Sequence, residues 1–251
     1  DVVLTIDMAL QKIVEESLRS HPSAAVVVME VNTGRVLAAA SKPSIDSNMM
    51  IQGLSIAEDR ALNENPFRPR IDKTVYENYY PGSTFKPFTA IAGLEEGLFT
   101  GEDRFHCSGF HEFGKRTFRC PRAHGDITLR EGLAVSCNVM FFNLAEMIGM
   151  DKIARFAKDF GFGSPTGIGY NSEAPGFIPT KEWYEKRFPG QFRPGFTLNT
   201  AIGQGEVKTT VMQLAVAYAA IANGGVIYRP QVIRRVETAD GDLVKEFSPE
   251  V

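Results

Sequence analysis

Apolar residues along the chain recur with two different periods. In residues 4–18, Leu10, Ile13, Val14 and Leu18 fall on one face of a 3.6-residue repeat, and Thr5 or Asp7 can cap the first turn, so a helix is predicted there. Residues 24–31 are a short Val-rich run. Asn32, Thr33 and Gly34 supply turn chemistry, and a second apolar run covers residues 35–40, which together predict a β-hairpin. Residues 41–80 are polar, carry several Pro and Asn, and show no steady period. They read as a long, partly irregular surface excursion, and a structureless loop of that length is often functional.

After Pro81, Gly82 and Ser83 the pattern turns strongly apolar and helical through Leu98, and Gly97 and Gly101 punctuate its end. Residues 101–125 read as irregular, with two cysteines and three histidines. Residues 129–148 predict one or two buried helices, and residues 153–160 another, stopped by Gly161 and Gly163. Residues 165–194 are rich in Gly and Pro and read as loop. Residues 209–223 predict a helix ending at Gly224 and Gly225, residues 230–236 a strand, and Ala239, Asp240 and Gly241 a turn. A hairpin followed by many helices is an α+β pattern rather than alternating βαβ units.

Composition narrows the function classes. The chain has 251 residues, 43% of them hydrophobic, which is enough for a sizeable core. With 27 Lys+Arg against 30 Asp+Glu the net charge is -3, which argues against a nucleic-acid binder. The longest apolar runs, residues 24–29 and 214–222, are far below the roughly 18 residues of a membrane span. Residues 1–7 have no basic or apolar leader pattern, and the chain starts inside a pattern, as a piece of a longer protein would.

Chemistry is concentrated in two motifs. Ser83 and Lys86 stand three apart at a helix start, which places both side chains on one face, one turn apart. A serine hydroxyl attacks only once a base takes its proton, and a lysine is such a base only when neutral, a state that burial favours. The apolar run behind Lys86 drives this helix into the core, so Ser-x-x-Lys here points to acyl transfer rather than to a cap and a solvated lysine. The second motif, Ser136-Cys137-Asn138, sits between helices, where its outer side chains can share a cleft. Ser136 suits proton relay and Asn138 suits holding a peptide amide; taken alone, both are ordinary helix caps.

In combination these residues resemble the transpeptidase domain of class B penicillin-binding proteins, most of all the elongation-specific type (penicillin-binding protein 2). The resemblance is carried by Leu4-Thr5-Ile6-Asp7 with Leu10-Gln11, by Tyr80-Pro81-Gly82-Ser83-Thr84-Phe85-Lys86-Pro87, and by Ser136-Cys137-Asn138. Further on it is carried by Phe160-Gly161-Phe162-Gly163 with Thr166-Gly167, Ala201-Ile202-Gly203-Gln204-Gly205, Gln213-Leu214-Ala215 and Ala222-Asn223-Gly224-Gly225. It implies an α+β fold with helices packed on an antiparallel sheet, filling residues 1–251 as one transpeptidase domain. It also implies a D,D-transpeptidase that cross-links peptidoglycan stem peptides during side-wall elongation. In that scheme Ser83 is the nucleophile, Lys86 the general base, Ser136 the proton shuttle and Asn138 the residue that holds the donor amide. The Ser83 backbone N–H forms half of the oxyanion hole. β-Lactam antibiotics mimic the donor and acylate Ser83. The resemblance further implies a SEDS-family glycosyltransferase and elongation-complex proteins as partners, and a place at the periplasmic face of the bacterial inner membrane.

One departure stands out. The family's third motif, Lys-Thr-Gly on a cleft strand, is absent. Lys208-Thr209-Thr210 follows Ile-Gly-Gln-Gly and leads into a helix, so it is a decoy. The expectation is a domain cut before that motif, lacking the last three strands of a five-stranded sheet and inactive as an isolated fragment. A class D-like serine β-lactamase and a non-catalytic penicillin sensor are the rival functions. Deacylation rate separates the first, and activity on stem peptides the second.

All three cysteines fall in Cys107-x12-Cys120-x3-His124-x12-Cys137. Three thiolates and an imidazole make a complete tetrahedral set for structural zinc, with no open position for water. His124 is favoured over His106 and His111 because it stands close to Cys120 and before a glycine. The resemblance implies that Cys137 turns its side chain away from the cleft, toward a loop holding the other three. A Cys107–Cys120 disulfide with Cys137 free, or three unrelated cysteines, are the alternatives, since a periplasmic setting permits disulfides.

Overall fold

A computed structural model describes residues 1–169 and 171–251; Tyr170, inside the loop-rich stretch expected at 165–194, lies outside the described residues. The chain opens with β1 (Val2–Leu4), α1 (Met8–Ser17), β2 (Ala24–Met29) and β3 (Val36–Lys42), then α2 (Ser47–Gln52) and α3 (Ile56–Glu64). A 3-10 turn over Gly82–Phe85 runs into α4 (Lys86–Glu95). Four short strands follow: β4 (Arg104–Cys107), β5 (Phe110–Phe113), β6 (Arg116–Arg119) and β7 (Gly125–Thr128). After them come α5 (Leu129–Ala134), α6 (Asn138–Ile148), α7 (Met150–Asp159), α8 (Lys181–Arg187), α9 (Gly195–Ala201) and α10 (Val211–Ala222), and finally β8 (Ile233–Glu237) and β9 (Leu243–Glu246).

These elements form two compact units, one of residues 1–79, 164–175 and 210–251, the other of residues 80–163 and 176–209. In the first, β2 and β3 pair antiparallel from Ala24↔Lys42 to Met29↔Val36, with α1 packed on β3 and α10 on β2. Val14 and Leu18 meet Ala38 and Ala40, while Val36, Val75 and Met212 form a second cluster. Buried Gln213 closes a capping box with Thr210 and donates to the carbonyls of Ser164 and Pro175 at 2.7 and 2.8 Å. That satisfies a group whose unpaired burial would cost about 1–3 kcal/mol.

Several expectations are corrected here. The first helix starts at Met8, not Leu4, because Asp7 accepts from the N–H groups of Ala9 and Leu10. Residues 2–4 pair instead with β8, the Thr5 hydroxyl donates to the Val36 carbonyl at 2.6 Å, and Ile13 faces solvent. The excursion at 41–80 is partly irregular as expected, and its regular part is α2 and α3. Residues 101–125 hold two antiparallel pairs, β4–β7 and β5–β6. The β2–β3 pair matches the two strands expected of the family sheet; among the described residues there are four small antiparallel sheets, one of them three-stranded in the order β1-β8-β9.

The second unit is built around α4, which buries Lys86, Phe88, Thr89, Ala90, Ala92 and Gly93 and packs on α6 and α7. Phe85 and Phe88 meet Phe162 with ring centroids 5.6 and 4.8 Å apart. Each of these fully buried rings contributes about 1.5–3 kcal/mol. The Thr89 hydroxyl donates to the Ala201 carbonyl at 2.8 Å, tying α4 to the end of α9. The helix that carries Lys86 is therefore anchored on three sides.

Candidate active site

Ser83 sits in the 3-10 turn that precedes α4. Gly82 has φ +57, and its N–H donates to the Gly203 carbonyl at 2.9 Å. A Cβ on Gly203 would lie 2.3 Å from the Gly82 carbonyl oxygen, and Gly203 itself has φ +66. Only glycine allows this approach without strain, so Ile202-Gly203-Gln204-Gly205 backs the turn that carries Ser83. Ser83 is exposed, and its hydroxyl makes no hydrogen bond to another described residue.

Lys86, one turn on, is 1% exposed. Its ammonium donates to the Ser136 carbonyl at 2.8 Å, the Ser136 hydroxyl oxygen at 2.9 Å and Asn138 Oδ1 at 2.8 Å. An ammonium has three donors, and all three are taken. Burial pushes Lys86 down to about 8, and the neighbouring sulfurs of Cys120 and Cys137, to the extent that they ionise, oppose that shift. The lysine is thus poised to give up a proton near neutral pH, as a general base requires.

The partner motif owes its geometry to one strained residue. Ser136 lies between α5 and α6 with φ +52, in the left-handed region. That conformation costs about 1–3 kcal/mol for a residue with a side chain, and such strain concentrates at functional sites. Here both oxygens of Ser136 reach Lys86. Asn138 opens α6, and its Nδ2 donates to the Arg119 carbonyl at 3.3 Å. With Oδ1 held by Lys86, the amide of Asn138 is oriented from both ends.

Behind this motif lie the four sulfur- and imidazole-bearing residues. Cys107 ends β4, Cys120 follows β6, His124 precedes β7, and Cys137 caps α6 by accepting from the Met140 N–H at 3.4 Å. Their ligand atoms all lie within 4.8 Å of one another. His124 Nδ1 is 3.5 Å from Cys107 Sγ and 3.6 Å from Cys120 Sγ, and Cys120 Sγ is 3.9 Å from Cys137 Sγ. For Zn–S near 2.3 Å and Zn–N near 2.0 Å, the edges of a tetrahedron are about 3.5 Å (N···S) and about 3.8 Å (S···S), and these three separations match them, while the set as a whole spans up to 4.8 Å. The three cysteines are free thiols and buried. His106 and His111 are engaged elsewhere, 2.7 Å from Asp126 and 3.0 Å from Glu146.

The two inner thiols differ. Burial pushes Cys137 up to about 12. Burial also works to raise Cys120, but hydrogen bonds to its sulfur from the backbone N–H groups of Val139 and Asn138, and from the other two thiols, bring it below the ordinary thiol value. The N–H of Asn138 thus points at a metal-ligand candidate while its side chain meets Lys86, joining the cluster to the catalytic motif through one residue.

The structure brings Lys86, Ser136 and Asn138 into direct contact and gathers Cys107, Cys120, His124 and Cys137. The decoy at Lys208-Thr209-Thr210 takes structural places: Lys208 pairs its backbone with Phe177, and Thr210 caps α10. The role of Arg119 was not legible in the sequence, because it acts through its carbonyl.

A family model described as the penicillin-binding protein transpeptidase domain matches residues 24–250. The peptidoglycan D,D-transpeptidase MrdA of Haemophilus influenzae is 35% identical over 240 residues, covering 94% of this chain and 37% of that protein. The chain therefore spans less than two-fifths of this relative's length. The crystal structure of Pseudomonas aeruginosa PBP2 in complex with WCK 5153 superposes with a TM-score of 0.89 at 33% identity, covering 99% of this chain and 54% of that one. PBP2 of Helicobacter pylori, in its complex with MreC, gives a TM-score of 0.87 at 29% identity, covering 92% and 44%.

Proposed function

We propose a function from one premise: this chain belongs to the penicillin-binding protein transpeptidase family. It carries the acyl-transfer centre of a peptidoglycan D,D-transpeptidase. Ser83 Oγ attacks the carbonyl carbon of the penultimate D-alanine of a donor stem peptide, and neutral Lys86 takes the Ser83 proton. Ser136, hydrogen-bonded to Lys86, passes a proton to the departing nitrogen, so the terminal D-alanine leaves as a neutral amine. The amine of a second stem peptide then attacks the acyl-enzyme ester and releases Ser83. Asn138 supplies its amide to the donor backbone.

The observation that carries this reading is the triple donation of buried Lys86 to Ser136 and Asn138, one turn from Ser83. The test is full-length protein with a D-Ala-D-Ala donor and an amine-bearing acceptor. Release of D-alanine with formation of the cross-linked peptide, abolished by Ser83→Ala, is expected. Release of D-alanine by hydrolysis alone would refute transpeptidation.

A structural zinc belongs to the same proposal. Cys107, Cys120, His124 and Cys137 would hold it, and a closed four-ligand ion supplies a cross-link rather than a reactive water. Its place would be to fix the β4–β7 segment against the start of α6, and with it Asn138. For the whole protein the proposed setting is the periplasmic face of the inner membrane. There a SEDS-family glycosyltransferase would supply new strands for side-wall elongation, and the complex of the Helicobacter relative with MreC supports an elongation-complex partner. Among the described residues no helix is long and apolar enough to cross a membrane.

A further inference from the structure

A cleft of about 460 Å³ opens in the second unit between the β5–β6 hairpin and the start of α9. Its floor is aromatic, made by half-buried Phe113, Phe118 and Phe196, and its rim is cationic, made by exposed Lys115, Arg116 and Arg193. Strand pairing explains this composition. Phe113 pairs with Arg116 and His111 with Phe118, so these four side chains share one face of the hairpin. Glu112, the hairpin's one acid, projects from the other face. The floor is held from beneath by Phe142 of α6, whose ring centroid is 5.4 Å from that of Phe118 and 5.9 Å from that of His111.

The rim charges are not neutralised by any described residue. Among the described residues, no acidic side chain lines the cleft, and neither Lys115 nor Arg116 has an ion pair. Among the described residues Arg193 reaches only the carbonyls of Gly190 and Phe192, each at 3.3 Å. In a chain of net charge -3, three cations gathered without a counter-charge mark a surface that meets an anion. Two of them are arginines, which suit bidentate contact with carboxylates.

The cleft abuts the catalytic motifs without sharing their residues. On one side Asn199 gives its carbonyl to the Gln204 N–H at 2.9 Å, in the turn whose Gly203 backs Ser83. On the other, Arg119, next to Phe118 on β6, accepts from Asn138 Nδ2. Ser83, Lys86, Ser136 and Asn138 do not line it, so the reacting carbonyl of a donor at Ser83 lies outside it.

We propose that this cleft binds the carboxylate-bearing part of the acceptor stem peptide, with Lys115, Arg116 and Arg193 taking its carboxylates and the aromatic floor its methylenes. The assignment rests on the transpeptidase reading, because that reaction needs a second peptide beside the donor. Stem peptides combine free carboxylates on glutamate and diamino-acid residues with short aliphatic stretches, and the cleft offers the complementary surface to both.

The test is a binding measurement on full-length Ser83→Ala protein, using the soluble tetrapeptide L-Ala-γ-D-Glu-diaminopimelate-D-Ala and its fully amidated analogue. The acid form is expected to bind at least about tenfold more tightly than the amide, an advantage that shrinks as salt rises. Arg116→Gln/Arg193→Gln should remove that preference while leaving the thermal midpoint within about 2 °C, as for surface substitutions generally. In the Ser83 enzyme the same pair of substitutions should raise the acceptor KM and leave penicillin acylation measurable. Equal binding of acid and amide, or an unchanged preference in the double variant, would overturn the proposal. Failure of the underlying reading shows separately, as absence of D-alanine release by the Ser83 enzyme, because the binding measurement involves no chemistry at Ser83.

Discussion

Lys86 Nζ and Asn138 Oδ1 are 2.8 Å apart, so the proposed catalytic base and the amide that would orient the donor share one hydrogen bond. Protonation of the lysine and orientation of the asparagine are therefore linked. Asn138→Asp tests the link: a carboxylate at that place favours the ammonium form of Lys86 and removes the neutral base. Acylation by benzylpenicillin at neutral pH should fall by about a hundredfold or more, and part of that loss should return as pH is raised. Asn138→Ala, which removes the amide without adding charge, should show no such recovery.

The pH dependence of the parent follows from the same lysine. Burial brings Lys86 down to about 8. Below that value the ammonium dominates and the base is absent, so the acylation rate should rise about tenfold per pH unit and level off above it. Stopped-flow acylation with a fluorescent penicillin across this range provides the check. A flat profile would mean that Lys86 is not the base.

Ser136 separates strain from chemistry. Its φ of +52 favours glycine, so Ser136→Gly relieves backbone strain while deleting the hydroxyl that contacts Lys86. Thermal stability should hold or rise slightly, and acylation should fall by about 10²–10⁴, the usual share of proton transfer. Equal loss of both would make Ser136 a structural residue only. Calorimetry and acylation kinetics on one sample decide.

The fold was legible where burial imposes a period. The hairpin β2–β3, the apolar helix at Lys86 and α10 all bury one face or more, and their patterns announce them. The helices α2 and α3 bury none of their residues, so no hydrophobic repeat marks them; the local signals were the Asp46 cap of α2 and the capping box of Ser55 and Glu58 on α3. The strands β4 to β7 are four residues long and polar, too short for alternation to register. In the site, Ser-x-x-Lys, Ser-x-Asn and the Cys/His set were visible because side-chain type carries their chemistry. The Arg119 carbonyl, the Gly203 backing of Ser83 and the cationic cleft arise from backbone and cross-strand pairing, which residue identity alone does not encode.

The cysteine cluster predicts a metal dependence. Full-length protein should contain about one zinc per chain by elemental analysis, and Cys120→Ser should lose it. The thermal midpoint should then drop by several degrees, and acylation should slow because Asn138 donates its N–H to the Cys120 sulfur. Protein isolated with a disulfide among Cys107, Cys120 and Cys137 and no metal would contradict the zinc reading.

Ser83 as the acylated nucleophile is tested most directly by incubating full-length protein with benzylpenicillin and mapping the adduct by peptide mass spectrometry. A single adduct on the peptide containing Ser83, persisting after free penicillin is removed and absent from Lys86→Met, is the expected result. An adduct elsewhere, or rapid hydrolytic turnover of penicillin that leaves Ser83 free, would contradict the assignment.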